Sequence, residues 1–441
     1  MFLAGFSTFK VPSAPRRLGG EFMIDHTHDP ALKSWVESAN LPGADFPIQN
    51  LPFATYSRFP GDPARVGVAI GDQLLDATAT FHLASLRGVM AMPRAERLQL
   101  RHKISGFLAT HTTGAETMLS PIAAAHLELP CEIGDYTDFY ASIHHATNVG
   151  RMFRPENPLL PNYKWLPVGY HGRASSIVLS GTPIRRPWGQ TADSPAGPPV
   201  YAPSRRLDYE LEIGAFLGPG NTLGHTIPID QAAGHIAGVC LLNDWSARDM
   251  QTWEYQPLGP FLAKSFATSI SPWVVTMEAL EPFRRAPEPR PEGDPPPLPH
   301  LATNAPDALG ITLEVWLRSA LMTGPMRISR GNVAHLYWTL SQLVAHHASN
   351  GCNLRPGDLI GSGTVSGPEK ENRGCLLELT LRGTEPLELP TGEQRRFLED
   401  GDEVIFRACC EAPGYRRIGF GECRGTVIAA DPSAGRTPHP K

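Results

Sequence analysis

The 441-residue chain has no apolar run of 18 or more residues, which excludes a membrane-spanning helix. It has no basic excess either. With 39 Lys and Arg against 44 Asp and Glu, its net charge is −5, so a surface that tracks nucleic-acid phosphates is not expected. The seven cysteines are scattered, Cys409 and Cys410 are adjacent, and no CxxC pair occurs. Neither a disulfide framework nor a structural zinc site is expected, and a reducing, cytoplasmic setting fits. Met1–Phe9 lacks a basic region followed by a long apolar core, so it is not read as a signal peptide. Walker A, GxSxG, HExxH and EF-hand patterns are all missing. Gly218-Pro-Gly220 has the wrong spacing for a dinucleotide-binding loop.

Glycine and proline are abundant, at 42 and 44 residues. Proline runs at about twice its usual share of roughly 5%. That load disfavours long helices and favours short strands joined by turns. Since 41% of residues are hydrophobic, the composition is that of a folded chain and not a disordered one.

The length suits two domains, or one large sheet domain with an appendage. Residues 1–22 read as an extension, with Met23 as the expected natural start. A helix is expected over Asp29–Ser38, with Asp29 as cap and Pro30 at its first position. Arg65–Ile70 and Gln73–Ala77 flank Gly71-Asp72, a hairpin signal. A helix over about Pro93–Thr110 carries Leu100, Ile104 and Phe107 on one face. These elements make a small first domain, residues 23–130. Beyond it, Tyr209–Ile213 and Ile311–Leu317 alternate strictly, and Leu376–Leu381 and Val404–Ala408 also read as strands. A helix is expected over Gly331–His347. The second domain, residues 131–430, is mainly β, a closed or rolled sheet, followed by a tail at 431–441. Pro287–Pro299, seven prolines in thirteen residues, reads as an extended surface insertion spanning about 286–300.

Four carboxylates stand out. Glu210 and Glu212 lie two apart on an alternating segment and would share a face. Asp138 lies in an extended-looking stretch with Tyr140, and Asp244 ends the apolar run Ile236–Leu242. A helix after Asp244 would put Arg248, Gln251 and Tyr255 on one polar face. Were the four carboxylates to meet, they could not all stay ionised without a cation. An all-oxygen set selects Ca²⁺ or Mg²⁺ over Zn²⁺, and the number of carboxylates favours Ca²⁺. The pair His144-His145 follows Asp138 closely, and a neutral imidazole beside such an ion can act as general base. Lys264, in an apolar setting four residues before Thr268, could face a developing oxyanion.

Several long stretches resemble the fumarylacetoacetate hydrolase family. They are Asp135–Arg154, Leu166–Pro187, Asn243–Gln251, Trp253–Pro272, Asn350–Gly367 and Asp400–Val404. The likeness runs from about Asp45 to about Val427. Its N-terminal part points to the longer members that act on fumarylacetoacetate, ahead of shorter acylpyruvate hydrolases and decarboxylases of the same fold. The resemblance implies a small SH3-like N-terminal barrel, a larger C-terminal β-roll and a homodimer. It implies a metal-dependent hydrolase that cleaves a carbon–carbon bond to give fumarate and acetoacetate, the last step of tyrosine and phenylalanine breakdown. It puts Ca²⁺ at Asp138, Glu210, Glu212 and Asp244, and a second, Mg²⁺ ion at Asp244, Lys264 and Thr268. It makes His145 the base and Glu378 its orienting acid, with Arg248, Gln251 and Lys264 on the oxyanion. Tyr140, Arg154, Tyr170, Gln251, Tyr255 and Thr364 match substrate contacts. The family's usual Lys-Ser-Phe-Gly-Thr reads Lys-Ser-Phe-Ala-Thr here, with Ala267.

Overall fold

A computed structural model describes residues 24–192 and 197–435. The expectations for the segment ahead of Met23 and for residues 436–441 lie outside the described residues. Strand exceeds helix, 27% against 23%, and the strands form curled sheets, so the class is mainly β.

The first sheet is antiparallel, with Leu119–Pro121, Gln73–Asp76, Arg65–Ile70, Phe53–Ser57 and His126–Leu127 side by side. The hairpin turns at Gly71 as its sequence predicts, with Ile70 opposite Gln73. Helix Arg94–Ala109 buries Leu100, Ile104 and Leu108. Phe107 is only half-buried, so the inward stripe is Leu100, Ile104 and Leu108. These side chains join one core with Phe216, Leu242 and Ile270 of the next sheet. Main-chain bonds between Phe53 and Val274, one in each direction, stitch the two sheets together.

The second sheet runs Gly169–His171, Tyr136–Phe139, Leu359–Gly361, Leu211–Leu217, Ile236–Asp244, Thr268–Ile270, Ile177–Leu179, with Val275–Thr276 pairing on Ile236–Asp244. Leu211–Leu217 and Ile236–Asp244 are buried along their whole length, which explains their apolar runs. A third sheet, built on Ile311–Arg318, Glu403–Cys410 and Ile418–Ile428, packs against them. Ile213 and Leu241 share a core with Leu313, Phe406 and Phe420. Ile311–Arg318 alternates buried and half-buried residues, as its pattern requires.

Three local expectations fail for physical reasons. No α-helix forms over 29–38, and only the 3₁₀ turn Glu37–Asn40 enters its end. Gln49 donates through Nε2 to the carbonyls of Asp29 and Leu32, Trp35 N–H donates to Leu108, and Ser34 N–H donates to the Asn40 side chain. Those groups are the ones a helix would use. The helix expected over Gly331–His347 is only Leu340–His347, opened by a capping box of Thr339 and Gln342. Residues 326–332 are instead a strand, and the main-chain N–H groups of Tyr337 and Trp338 donate to Ala141. Leu376–Leu379 is a turn of helix and not a strand. The N–H groups of Leu376 and Leu377 donate to the Asp208 carboxylate, which caps the turn from 168 positions away.

Thr339 Oγ1 also donates to Asp307, 3.0 Å away. Thr339→Ala should therefore destabilise the protein by about 1–2 kcal/mol. Chemical denaturation at neutral pH checks this as a shift in the midpoint.

Candidate active site

The register of the second sheet brings the carboxylates together. Gly361 stands opposite Asp138 on one side and Gly214 on the other. Glu212 lies two residues before Gly214, and Leu211 pairs with Asn243, next to Asp244. Oxygen atoms of Asp138, Glu210, Glu212 and Asp244 all lie within 4.8 Å of one another, and all four residues are buried. A solvated edge face for Glu210 and Glu212 is thereby excluded. The expected helix after Asp244 starts late, at Arg248. Ser246 and Ala247 pair instead with Leu207 and Asp208.

Two cations enter this buried acid. Lys264 Nζ lies 2.5 Å from Glu210 Oε2 and 2.8 Å from Asp244 Oδ2. Arg248 donates from Nη1 to Glu210 Oε1 at 2.7 Å and from Nε to Asp208 Oδ2 at 2.9 Å. Thr268 Oγ1 and Tyr170 OH donate to Asp244, and Gly363 N–H donates to both Asp138 and Glu212. Burial works against every one of these carboxylates. At Glu210 the attraction of Lys264, Arg248 and His145 outweighs burial and holds its pKa below the ordinary range. Asp138 and Glu212 bond to no cation among the described residues, and burial plus neighbouring carboxylates outweigh the attraction of Lys264 and push both well above it. Lys264 is raised: burial favours the neutral amine, but Asp244 and Glu210 overcome it.

Glu212 Oε1 is buried with no hydrogen-bond partner among the described residues. An orphaned carboxylate oxygen amid three further carboxylates is a donor set that fits a hard divalent cation. A cavity of about 210 Å³ opens on Asp244, Lys264, Thr268 and Tyr170.

His145 sits beside the cluster on helix Ile143–Phe153. Ser142 caps that helix by accepting from His145 N–H, and its own hydroxyl donates to Ser366 O. His145 Nδ1 lies 2.6 Å from Glu378 Oε2. Glu378 also accepts from Asn148 Nδ2 and Ser366 Oγ. Burial would raise this carboxyl, but the His145 ring, with the Asn148 and Ser366 bonds, holds it down at about 2. The Tyr140 ring meets His145 edge-on at 5.1 Å. His144 turns away toward His335.

Gln251 Oε1 accepts from Arg248, and its amide N–H groups have no bonding partner among the described residues. Arg248 Nη2 and Thr364 Oγ1 are buried without partners among the described residues. Arg154 stands apart: it is exposed, and its guanidinium donates to Pro158 O. Tyr255 closes helix Arg248–Glu254 and is half-buried, with no side-chain bond to the cluster described. Ala267 is not among the residues with positive φ, so alanine carries no backbone strain there.

Asp208, Asn148, Ser366 and the Gly363 N–H were not anticipated. Asp208 was within reach, because Asp208, Glu210 and Glu212 continue one period-two series. Asn148 lies three positions after His145, on the same helix face.

Gly361 must lack a side chain. A Cβ there would lie 2.5 Å from Asp138 Oδ1 and 3.0 Å from Glu212 Oε2. Gly361→Ala is expected to cost about 1–3 kcal/mol through overpacking, read as a lowered denaturation midpoint.

Comparison with known proteins agrees with this geometry. The model of the fumarylacetoacetate (FAA) hydrolase C-terminal family matches residues 135–428. Fumarylacetoacetase of Homo sapiens is 50% identical over 411 residues, covering 88% of this chain and 97% of the relative. That of Bos taurus is 49% identical over 410 residues with the same coverage. The solved structure of Cg1458 with inhibitor aligns at a TM-score of 0.50 and 14% identity, over 86% of this chain and 100% of that one, and speaks to the fold alone. With two thirds of its length matched by the family model and about half of its aligned residues identical to those of such relatives, the chain belongs to the fumarylacetoacetate hydrolase family.

Proposed function

We propose that the chain hydrolyses fumarylacetoacetate to fumarate and acetoacetate. The observation that carries this reading is the His145–Glu378 pair set against a buried carboxylate cluster that also holds Lys264 and Arg248. The names of the relatives at 49–50% identity favour fumarylacetoacetate over acylpyruvates or oxaloacetate.

Cleavage of a 1,3-dicarbonyl acid by water needs an activated water, a stabilised oxyanion and a stabilised enolate leaving group. An ionised Glu378 can only accept, so the proton at the 2.6 Å contact sits on His145 Nδ1. With the ring neutral, His145 Nε2 is the base that takes the water proton. Arg248 Nη2, the Gln251 amide and Lys264 Nζ donate toward the oxyanion. Tyr140, Tyr170 and Thr364 would line the substrate's place, and Arg154, which here donates to Pro158 O, would turn in with Tyr255 to hold its carboxylates.

Asp138, Glu210, Glu212 and Asp244 would hold Ca²⁺, while Asp244, Lys264 and Thr268 would serve a second, Mg²⁺ ion. When bound, the ion supplies Lewis-acid stabilisation of enolate charge. A cytoplasmic homodimer is the assembly proposed, and all seven thiols being unpaired suits a reducing compartment.

His145→Ala should lower turnover by about 10²- to 10⁴-fold and leave Ca²⁺ binding, read by calorimetry, unchanged. Near-native turnover would remove His145 as base. Glu210→Gln should weaken Ca²⁺ binding and turnover together. The intact enzyme should show a higher kcat/KM on fumarylacetoacetate than on acetylpyruvate, and the reverse order would assign it to the acylpyruvate hydrolases.

A further inference from the structure

We propose that Arg290, in the proline-rich segment Pro287–Pro299, is a positioning residue that sets the Tyr140 wall of the active site. The inference rests on the catalytic reading above. The segment lies on the surface, as expected, yet three of its charged side chains turn toward the body of the protein. Arg290 Nη1 donates to Lys164 O at 2.9 Å, to Pro295 O at 2.9 Å and to Tyr337 OH at 2.8 Å. Its guanidinium carbon lies 4.3 Å from the centre of the Tyr337 ring and 4.5 Å from that of Trp338. Asp294 pairs with Lys164 and accepts from Tyr337 OH at 3.1 Å. Glu288 meets His335 at 2.8 Å.

What the segment grips is one layer from the site. Tyr337 and Trp338 both donate their main-chain N–H to Ala141 O. Trp338 Nε1 donates to Tyr163 O, and Tyr163 OH donates to Tyr140 O at 2.9 Å. The Tyr163 ring lies 6.1 Å from both Tyr140 and Tyr337. Arg290 thus holds two supports of the carbonyls of residues 140–141 at once, the Tyr163–Lys164 turn and the Tyr337–Trp338 pair, while the N–H groups of Tyr140 and Ala141 donate elsewhere, to Val168 O and Ser362 O. The prolines suit this task. Each fixes φ and reduces the freedom that the segment loses when it is pinned.

The effect should fall on substrate binding more than on proton transfer. His145 and Glu378 have their own supports in Ser142, Asn148 and Ser366. Tyr140 takes its carbonyl hydrogen bond and a ring contact from the gripped layer. Releasing it should move the Tyr140 ring within the substrate's place and weaken binding.

The test uses the full-length enzyme with Arg290→Ala, Tyr163→Phe and the double variant. Arg290→Ala should raise KM for fumarylacetoacetate by about five- to twentyfold, with kcat within about twofold and Ca²⁺ binding unchanged. A loss of folded enzyme alone would lower the apparent kcat and leave KM in place. The double variant should show a KM no higher than the worse single variant, because both cut one chain of contacts. Unchanged KM in Arg290→Ala, or multiplying effects in the double variant, would overturn the proposal. Amide exchange gives a readout that does not depend on turnover. Peptides covering 139–145 and 160–168 should exchange faster in Arg290→Ala than in the native chain, and unchanged exchange there overturns the proposal. Absence of fumarylacetoacetate turnover in the native enzyme would instead count against the catalytic reading.

Discussion

The structure turns on buried negative charge at the ends of its central strands. Asp138, Glu212 and Asp244 are at most 3% exposed and Glu210 is 5% exposed. No apolar sheet tolerates that without compensation. Two cations, Lys264 and Arg248, offset part of it at Glu210, Asp244 and Asp208. The remainder, centred on Asp138 and Glu212, is the part a divalent ion would complete. The surrounding packing serves this arrangement. Gly361 keeps its Cα face bare so that two carboxylates can cross it, and strands buried on both faces keep water from the flanks.

How far the sequence reveals this depends on the distance over which each cause acts. The hairpin at Gly71-Asp72 and the alternation of Ile311–Leu317 are local patterns, and both appear where expected. The helix expected over 29–38 is missing and that over 331–347 is cut to Leu340–His347 because remote groups claim main-chain donors and acceptors: Gln49 and Leu108 in one case, Ala141 in the other. Leu376–Leu381 has the composition of a strand, but a carboxylate far back in the chain makes it a helical turn. Periodicity carries no trace of such contacts.

The site divides in the same way. The spacing of Glu210 and Glu212, and the position of Asp244 at the end of an apolar run, offered the carboxylates as candidates but could not bring in Asp138. Only the parallel pairing of Gly361 with Asp138 does that. The family resemblance supplied the pairing of His145 with Glu378, and the geometry gives it a reason. Glu378 is at hydrogen-bonding distance because its segment coils, and that coil is the one the strand pattern missed.

Asp208 joins these threads. One of its oxygens accepts from Leu376 N–H, and the other from both Leu377 N–H and Arg248 Nε. Arg248, proposed to face the oxyanion, and the turn that carries Glu378 therefore hang on one buried carboxylate, with no solvent to soften a displacement. In the proposed mechanism, proton transfer at His145 and charge stabilisation at Arg248 act on the same substrate within one geometry. A single shared anchor keeps the two in register. It also accounts for a buried aspartate, two residues before Glu210, that belongs to neither the carboxylate cluster nor the histidine pair.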